Sequence, residues 1–139
     1  DGVSVSTSYK LGDTVITGIA PGTGASSVLA NISAGSGTVK VLKADGTENT
    51  GAVGTGNKIA VYANGTLVKQ YDVVIYGDIN GDGKISVVDL VMMQKQILGT
   101  SQLSGAYAAA ADISRDGKVS VKDLVLLQKH IINAAQIEQ

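Results

Sequence analysis

Six of the twelve acidic side chains in this 139-residue chain fall in two runs whose order suits a hard cation. The first run, Asp78-Ile79-Asn80-Gly81-Asp82-Gly83-Lys84-Ile85-Ser86-Val87-Val88-Asp89, returns 34 residues later as Asp112-Ile113-Ser114-Arg115-Asp116-Gly117-Lys118-Val119-Ser120-Val121-Lys122-Asp123. Calcium takes six to eight oxygens, and a twelve-residue loop supplies them from positions 1, 3, 5, 7, 9 and 12. In the first loop those positions are Asp78, Asn80, Asp82, the Lys84 carbonyl, Ser86 and Asp89; in the second they are Asp112, Ser114, Asp116, the Lys118 carbonyl, Ser120 and Asp123. The two serines, at position 9, are expected to act through a water. Gly83 and Gly117 stand at position 6, where the chain turns sharply and a residue without Cβ reaches positive φ at little cost.

Two calcium ions are therefore the expected cofactors. Without them three carboxylates crowd each loop, so metal binding contributes folding free energy. Position 12 is Asp in both copies, shorter than the usual Glu, and the backbone must approach the ion more closely. Ser114 is a poorer ligand than Asn or Asp, which makes the second loop the weaker expected site. The competing reading is a pair of acidic turns, because Asp-Gly favours turns and Ser86…Asp89 and Ser120…Asp123 fit capping boxes with Asp in the acidic place. A cap alone requires no acids at positions 1 and 5.

Each loop runs into a helix, expected over Val87 to Leu98 with Gly99 as its stop and over Val121 to Ile132 before Asn133. Ser104 is expected to cap a third, Ala-rich helix through about Ala111. Leu90, Met93 and Ile97 share one face of the first helix, and Leu124, Leu127 and Ile131 the matching face of the second, so these faces should form a core. A second stripe lies beside it: Val87, Val91, Gln94 and Leu98, repeated as Val121, Val125, Gln128 and Ile132, with Val88, Lys95, Lys122 and Lys129 at its side. Two short helices cannot bury so wide an apolar arc against each other. The stripe either meets another protein, as an apolar patch with a basic rim does, or is covered by the rest of the chain.

The distribution of residues divides the chain into two modules, 1–76 and 77–139. The first is Gly-rich and mostly β, with strands expected at 14–19, 38–42, 58–62 and 67–76 and hairpin signals at Asp45-Gly46 and Asn64-Gly65. Ala25 to Ile32 reads as a short helix or equally as a strand. Only Gly77 separates the last expected strand from the first loop, so the modules should be rigidly joined. The fold class is thus multidomain, an N-terminal mostly-β sandwich-like module and a C-terminal all-α unit of paired loop-helix repeats.

A formal charge of -1 without a basic patch excludes the usual nucleic-acid footprint. No signal-peptide pattern and no apolar run of about 18 residues occurs. Loops of modest affinity fill at the calcium levels found outside cells, which favours a secreted or cell-surface address, and a chain starting at Asp1 reads as a piece of something longer.

The repeats, with Gly77 and Leu90-Val91 flanking the first and Ala111 and Leu124-Val125 the second, resemble a dockerin. Dockerins are the calcium-binding modules that attach secreted polysaccharide-degrading enzymes and scaffoldins of anaerobic bacteria to cohesins in cellulosomes. The resemblance covers residues 77 to about 133: paired loops with Asp at position 12, no incoming helix, and a middle helix. It implies an EF-hand-like unit whose partner is a cohesin, with partner choice at loop positions 10 and 11 and helix positions 17 and 18. Those are Val87, Val88, Gln94 and Lys95 in one copy, and Val121, Lys122, Gln128 and Lys129 in the other. The Val-Val and Val-Lys pairs depart from the Ser-Thr pairing of the best-known enzyme-borne group, which leaves the cohesin type open. The near two-fold repeat implies docking in either of two orientations. Residues 1–76 are similar in architecture to the X modules that precede some dockerins and to small immunoglobulin-like domains.

No catalytic residues are expected. The single histidine, His130, lies in an expected helix, cysteine is absent, and Asp13, Asp45, Glu48 and Asp72 are scattered. Sugar binding by the β module would lack Trp and Phe platforms, with only Tyr9, Tyr62, Tyr71 and Tyr76 in that half. A further reading is a structural end of a surface protein, in which the two modules pack on each other, bury the stripes and meet no cohesin.

Overall fold

The computed structural model describes residues 5–100, 102–133, 136, 137 and 139. In chain order the elements are β1 (Ser6–Thr7), β2 (Lys10–Leu11), β3 (Val15–Thr17), α1 (Ala25–Ala30), β4 (Ile32–Ser33), β5 (Thr38–Leu42), β6 (Lys58–Ala63), β7 (Thr66–Val73), α2 (Val87–Leu98), α3 (Gly105–Ala111) and α4 (Val121–Ile131). The N-terminal region is built on sheets and the C-terminal region on helices, as the residue distribution indicated.

The β6–β7 hairpin is the centre of the first half. Asn64 and Gly65, at φ 53° and 79°, form its turn, a left-handed pair whose twist matches that of the flanking strands. Five strands form one sheet in the order β2-β3-β7-β6-β5, antiparallel except for the β3–β7 pair. Ile16, Val41, Ile59, Val61 and Val73 of this sheet pack with Ala25 and Val28 of α1 and with Ile32 of β4. Helix α1 and the separate β1–β4 ribbon thus share one core with the five-stranded sheet.

Several boundaries differ from the sequence expectation, among them the strand expected at 14–19, which is confined to Val15–Thr17. The Ala25–Ile32 stretch divides: helix runs to Ala30, and Ile32 then pairs with Thr7 and enters the core. The last strand ends at Val73, three residues before Tyr76. Val74 and Ile75 stay buried, but the Thr55 hydroxyl answers the Ile75 backbone on both sides, accepting from its N–H at 3.0 Å and donating to its carbonyl at 3.1 Å. A side chain thus replaces a ladder neighbour, and the chain is released toward the first acidic loop.

In the second half, Met93 of α2 and Leu127 of α4 are fully buried, with Leu90, Ile97, Leu124 and Ile131 packed around them. Helix α2 ends where expected, at Gly99 with φ 78°. Helix α4 stops one residue short of Ile132. Ser104 holds the N-cap position of α3, but its side chain makes no capping bond. The Gly77 N–H donates to the Ala110 carbonyl at 2.9 Å, which fixes α3 beside the entry to the first loop. Met93→Ala should lower stability by about 2–5 kcal/mol, measured as the urea midpoint in calcium. Val91→Ala, on the solvent side of the same helix, should stay within about 0.5 kcal/mol.

Candidate metal centre and exposed helix faces

Loop geometry rests on the position-12 aspartates. Asp89 Oδ1 accepts the N–H groups of Ile79 and Asn80 at 2.8 and 2.9 Å, and Oδ2 accepts that of Ser86 at 2.9 Å. Asp123 repeats the pattern, with Oδ1 accepting Ser114 N–H at 2.8 Å and Oδ2 accepting Ser120 N–H at 2.9 Å. Ser86 and Ser120 are the N-cap residues of α2 and α4. One short carboxylate therefore joins the first turn of a helix to the first turn of its loop, and the acids at positions 1 and 5 are brought to the helix N-terminus. The capping role and the loop role coexist.

Asp78, Asp82 and Asp89 each offer an oxygen within 4.8 Å of the others, and Asp112, Asp116 and Asp123 do the same. Asp78 is wholly buried. Its Oδ2 accepts N–H bonds from Thr55 at 3.0 Å and Gly83 at 2.9 Å, while its Oδ1 is buried with no hydrogen-bond partner among the described residues. Burial pushes this carboxyl up to about 6, against the two amides that pull it down, and the charge of Asp89 adds to the rise. Asp89 is raised as well, again by burial first. A buried carboxylate oxygen without a donor, set among two further acids, suits a hard cation in its place among oxygen ligands.

The remaining ligand positions shape the loop rim. Asn80 Oδ1 accepts Asp82 N–H at 3.2 Å, and Asp82 Oδ1 accepts Lys84 N–H at 2.9 Å. In the second loop Asp112 accepts from Asp116 and Gly117, and Asp116 from Lys118 at 3.0 Å. That amide is the main reason the exposed Asp116 carboxyl lies below its ordinary value. Ser114 Oγ is buried and has no partner among the described residues. The position-6 glycines, Gly83 and Gly117, both take positive φ, 83° and 89°.

The stripe residues all lie at the surface. Val87, Val88, Val91, Gln94, Lys95 and Leu98 on α2, and Val121, Lys122, Val125, Gln128, Lys129 and Ile132 on or just after α4, are exposed, with Leu98 and Ile132 at 76% and 72%. Between the helices, Gln94, Ile97, Leu98 and Leu124 line a shallow groove of about 260 Å³. The β-rich half touches a different surface, chiefly the first loop and α3, with Tyr76 reaching Arg115 of the second loop. There the Gly22 N–H donates to the Gly83 carbonyl at 2.8 Å, and the backbone at Gly54 lies directly on that of Gly81 and Gly83.

The sequence reading did not pick out Thr55, Gly54 or Tyr107 as neighbours of the first loop. Tyr107 of α3 lies so close to Gly56 that a Cβ there would overlap its ring. It also missed Arg115, which takes φ 60° and stacks over the Tyr76 ring at 4.0 Å, and Gln139, whose side-chain amide pairs with the Tyr76 peptide at 2.7 and 2.8 Å. One signal was available: position 4 is Gly81 in one loop and Arg115 in the other, and an otherwise close repeat that differs there marks different surroundings. His130 is half-buried, with Nδ1 accepting the Ile137 N–H at 3.1 Å.

Residues 76–132 match the family described as dockerin type I domain. No curated protein matches the chain. Among solved structures, it is similar to a complex of the third cohesin ScaC with the ScaB dockerin of Acetivibrio cellulolyticus, mutated in the N-terminal helix, at 25% identity and a TM-score of 0.44, covering 47% of this chain and 92% of that one. The counterpart mutated in the C-terminal helix gives 26% identity and a TM-score of 0.43, covering 47% and 96%.

The raised carboxyl of Asp78 has a measurable sign. Between its ordinary value of 3.8 and about 6, the folded chain holds a proton that the unfolded chain has released. The resulting stabilisation is complete below the ordinary value and is lost as pH rises through 6. In chelator, the wild-type urea midpoint should therefore rise from pH 7 to pH 5, and Asp78→Asn should remove on the order of 1 kcal/mol of that rise.

Proposed function

We propose that the chain, whose residues 76–132 match the dockerin type I family, is a calcium-dependent, non-catalytic docking module that binds a cohesin and so attaches its parent protein to a scaffold or cell-surface complex. The observation that carries this reading is the exposure of both helix stripes in a chain whose two halves are already packed together. Leu98, Ile132 and five stripe valines, 40% to 60% exposed, stand in water, where a docking partner would gain by covering them. The structural-end reading requires these faces to be covered by residues 1–76, whereas among the described residues the contacts of that half fall on the first loop, α3, Arg115 of the second loop and Gln139, and not on the stripes.

Two calcium ions would be held by Asp78, Asn80, Asp82, the Lys84 carbonyl, Ser86 and Asp89, and by Asp112, Ser114, Asp116, the Lys118 carbonyl, Ser120 and Asp123. Bound calcium supplies positive charge that holds the acids of each loop together. The protein's own part is mechanical. Asp89 and Asp123 belong to loop and helix at once, so a closed loop fixes where its helix begins and which way its stripe faces. The two halves divide at Tyr76 and Gly77, the first supporting the second. Among the described residues no helix is long and apolar enough to cross a membrane, and a secreted or cell-surface address suits a module that depends on calcium.

Both stripes are offered in near two-fold arrangement, and we take either as able to lead in docking. In calcium the chain should be held by a cohesin from a representative panel, and chelator should release it. Val87→Asp with Val91→Asp should weaken capture less than about tenfold. Adding Val121→Asp and Val125→Asp should weaken it about 100-fold or more, the scale of losing several anchoring side chains. Near-complete loss from the first pair alone would leave a single orientation, and no capture by any cohesin from a folded, calcium-loaded chain would favour the structural end.

A further inference from the structure

The two acidic loops are close copies in sequence, yet their surroundings differ at matched positions. At position 6, a Cβ on Gly83 would sit 2.9 Å from the Val53 carbonyl oxygen, whereas one on Gly117 would meet nothing within 4 Å. At position 4 both loops take a left-handed backbone, φ 79° at Gly81 and 60° at Arg115. That conformation alone does not demand glycine, since arginine adopts it in the second loop. What demands glycine at 81 is the Thr55 carbonyl, with which any Cβ would collide. At position 1, Asp112 accepts amides of its own loop, from Asp116 and Gly117. Asp78 accepts one amide of its own loop, from Gly83, and one from Thr55, 23 residues earlier in the β-rich half.

We propose that the β-rich half is a working part of the first loop. Thr55 is a positioning residue whose peptide N–H holds Asp78 with one oxygen facing the other acids, so filling of the first loop and closure of the contact between the halves reinforce each other while the second loop fills independently. The inference rests on the calcium reading given above. The physical links are short. The Thr55 hydroxyl clamps the Ile75 backbone just before the loop begins, its amide fixes Asp78 Oδ2, and Gly22 N–H binds the Gly83 carbonyl across the same contact. Coupling between a binding site and a contact is reciprocal, so whatever the contact adds to calcium affinity, calcium adds to the contact.

Gly54 gives a test that leaves every ligand in place. It has no positive φ, so its backbone admits alanine, but a Cβ there would collide with the Gly81 carbonyl and lie 2.8 Å from Gly83 N. Gly51→Ala is the control, since its Cβ would make only an ordinary contact at 3.7 Å with Asn49. Calcium is titrated into the full-length wild type and both variants, and the Gly83 and Gly117 amide resonances are followed separately. Gly54→Ala should weaken the first loop by about tenfold or more, the scale of a hydrogen bond to a charged group, and leave the second within about twofold; Gly51→Ala should change neither. Unchanged affinity at the first loop of Gly54→Ala, or equal losses at both loops, overturns the proposal. A wild type that takes calcium at neither loop overturns the docking-module reading as well, a result distinct from those two. Should Gly54→Ala lose the resonances of its β-rich half, the coupling is read from the other side: in calcium, Asp82→Ala should speed amide exchange at Gly22 and Thr55 about tenfold and Asp116→Ala should not, and equal exchange in the two overturns the proposal.

Discussion

A carboxylate removed from water must be answered by N–H donors or by a cation, and three are buried among the described residues: Asp78, Asp89 and Asp123. The position-12 pair is answered by amides at both ends of a turn, which makes each the pin on which loop and helix are hung. The course of α2 and α4 follows from those pins, because each helix begins within three residues of the aspartate that closes its loop. The Met93 and Leu127 core then sets the helices against each other. Asp78 is the least satisfied of the three, with one oxygen donor-free among the described residues, and the surrounding architecture converges on it from both halves of the chain.

The contact between the halves is made largely of backbone. Gly54, Gly81 and Gly83 let main chain lie on main chain, and Gly56 leaves room for the Tyr107 ring, with Gln139 closing over the Tyr76 backbone. A joint of this kind is specific through shape and hydrogen bonding, and it leaves the large apolar side chains of α2 and α4 outside it.

Periodicity and loop spacing made the helical half legible. The span of α2, the glycine stop at its end and the two core faces follow from the positions of Leu90, Met93, Leu124 and Leu127 and from Gly99. Both acid clusters follow from the repeat. The hairpin at Asn64-Gly65 was legible for the same local reason. What could not be read was set by contacts distant in sequence: the early end of β7 depends on the Thr55 hydroxyl, and the division of Ala25–Ile32 depends on the pairing of Ile32 with Thr7. The sequence left open whether the stripe is covered, since that turns on where the β-rich half sits and not on any property of α2 or α4. The burial of Asp78 was likewise hidden, because Thr55 carries no mark of a metal-loop neighbour. The difference between Gly81 and Arg115 was the only trace of that contact in the repeats themselves.

The exposed stripes have a consequence for how such a chain can change over time. Val87, Val88, Val121 and Lys122 project away from the Met93–Leu127 core and carry little of its packing, and surface positions of this kind tolerate exchange with small effects on stability. Recognition is thereby physically separate from folding: loops, pins and core can stay fixed while the outward side chains are rewritten one at a time. A lineage built on this scaffold could diversify its binding preferences without first acquiring surplus stability.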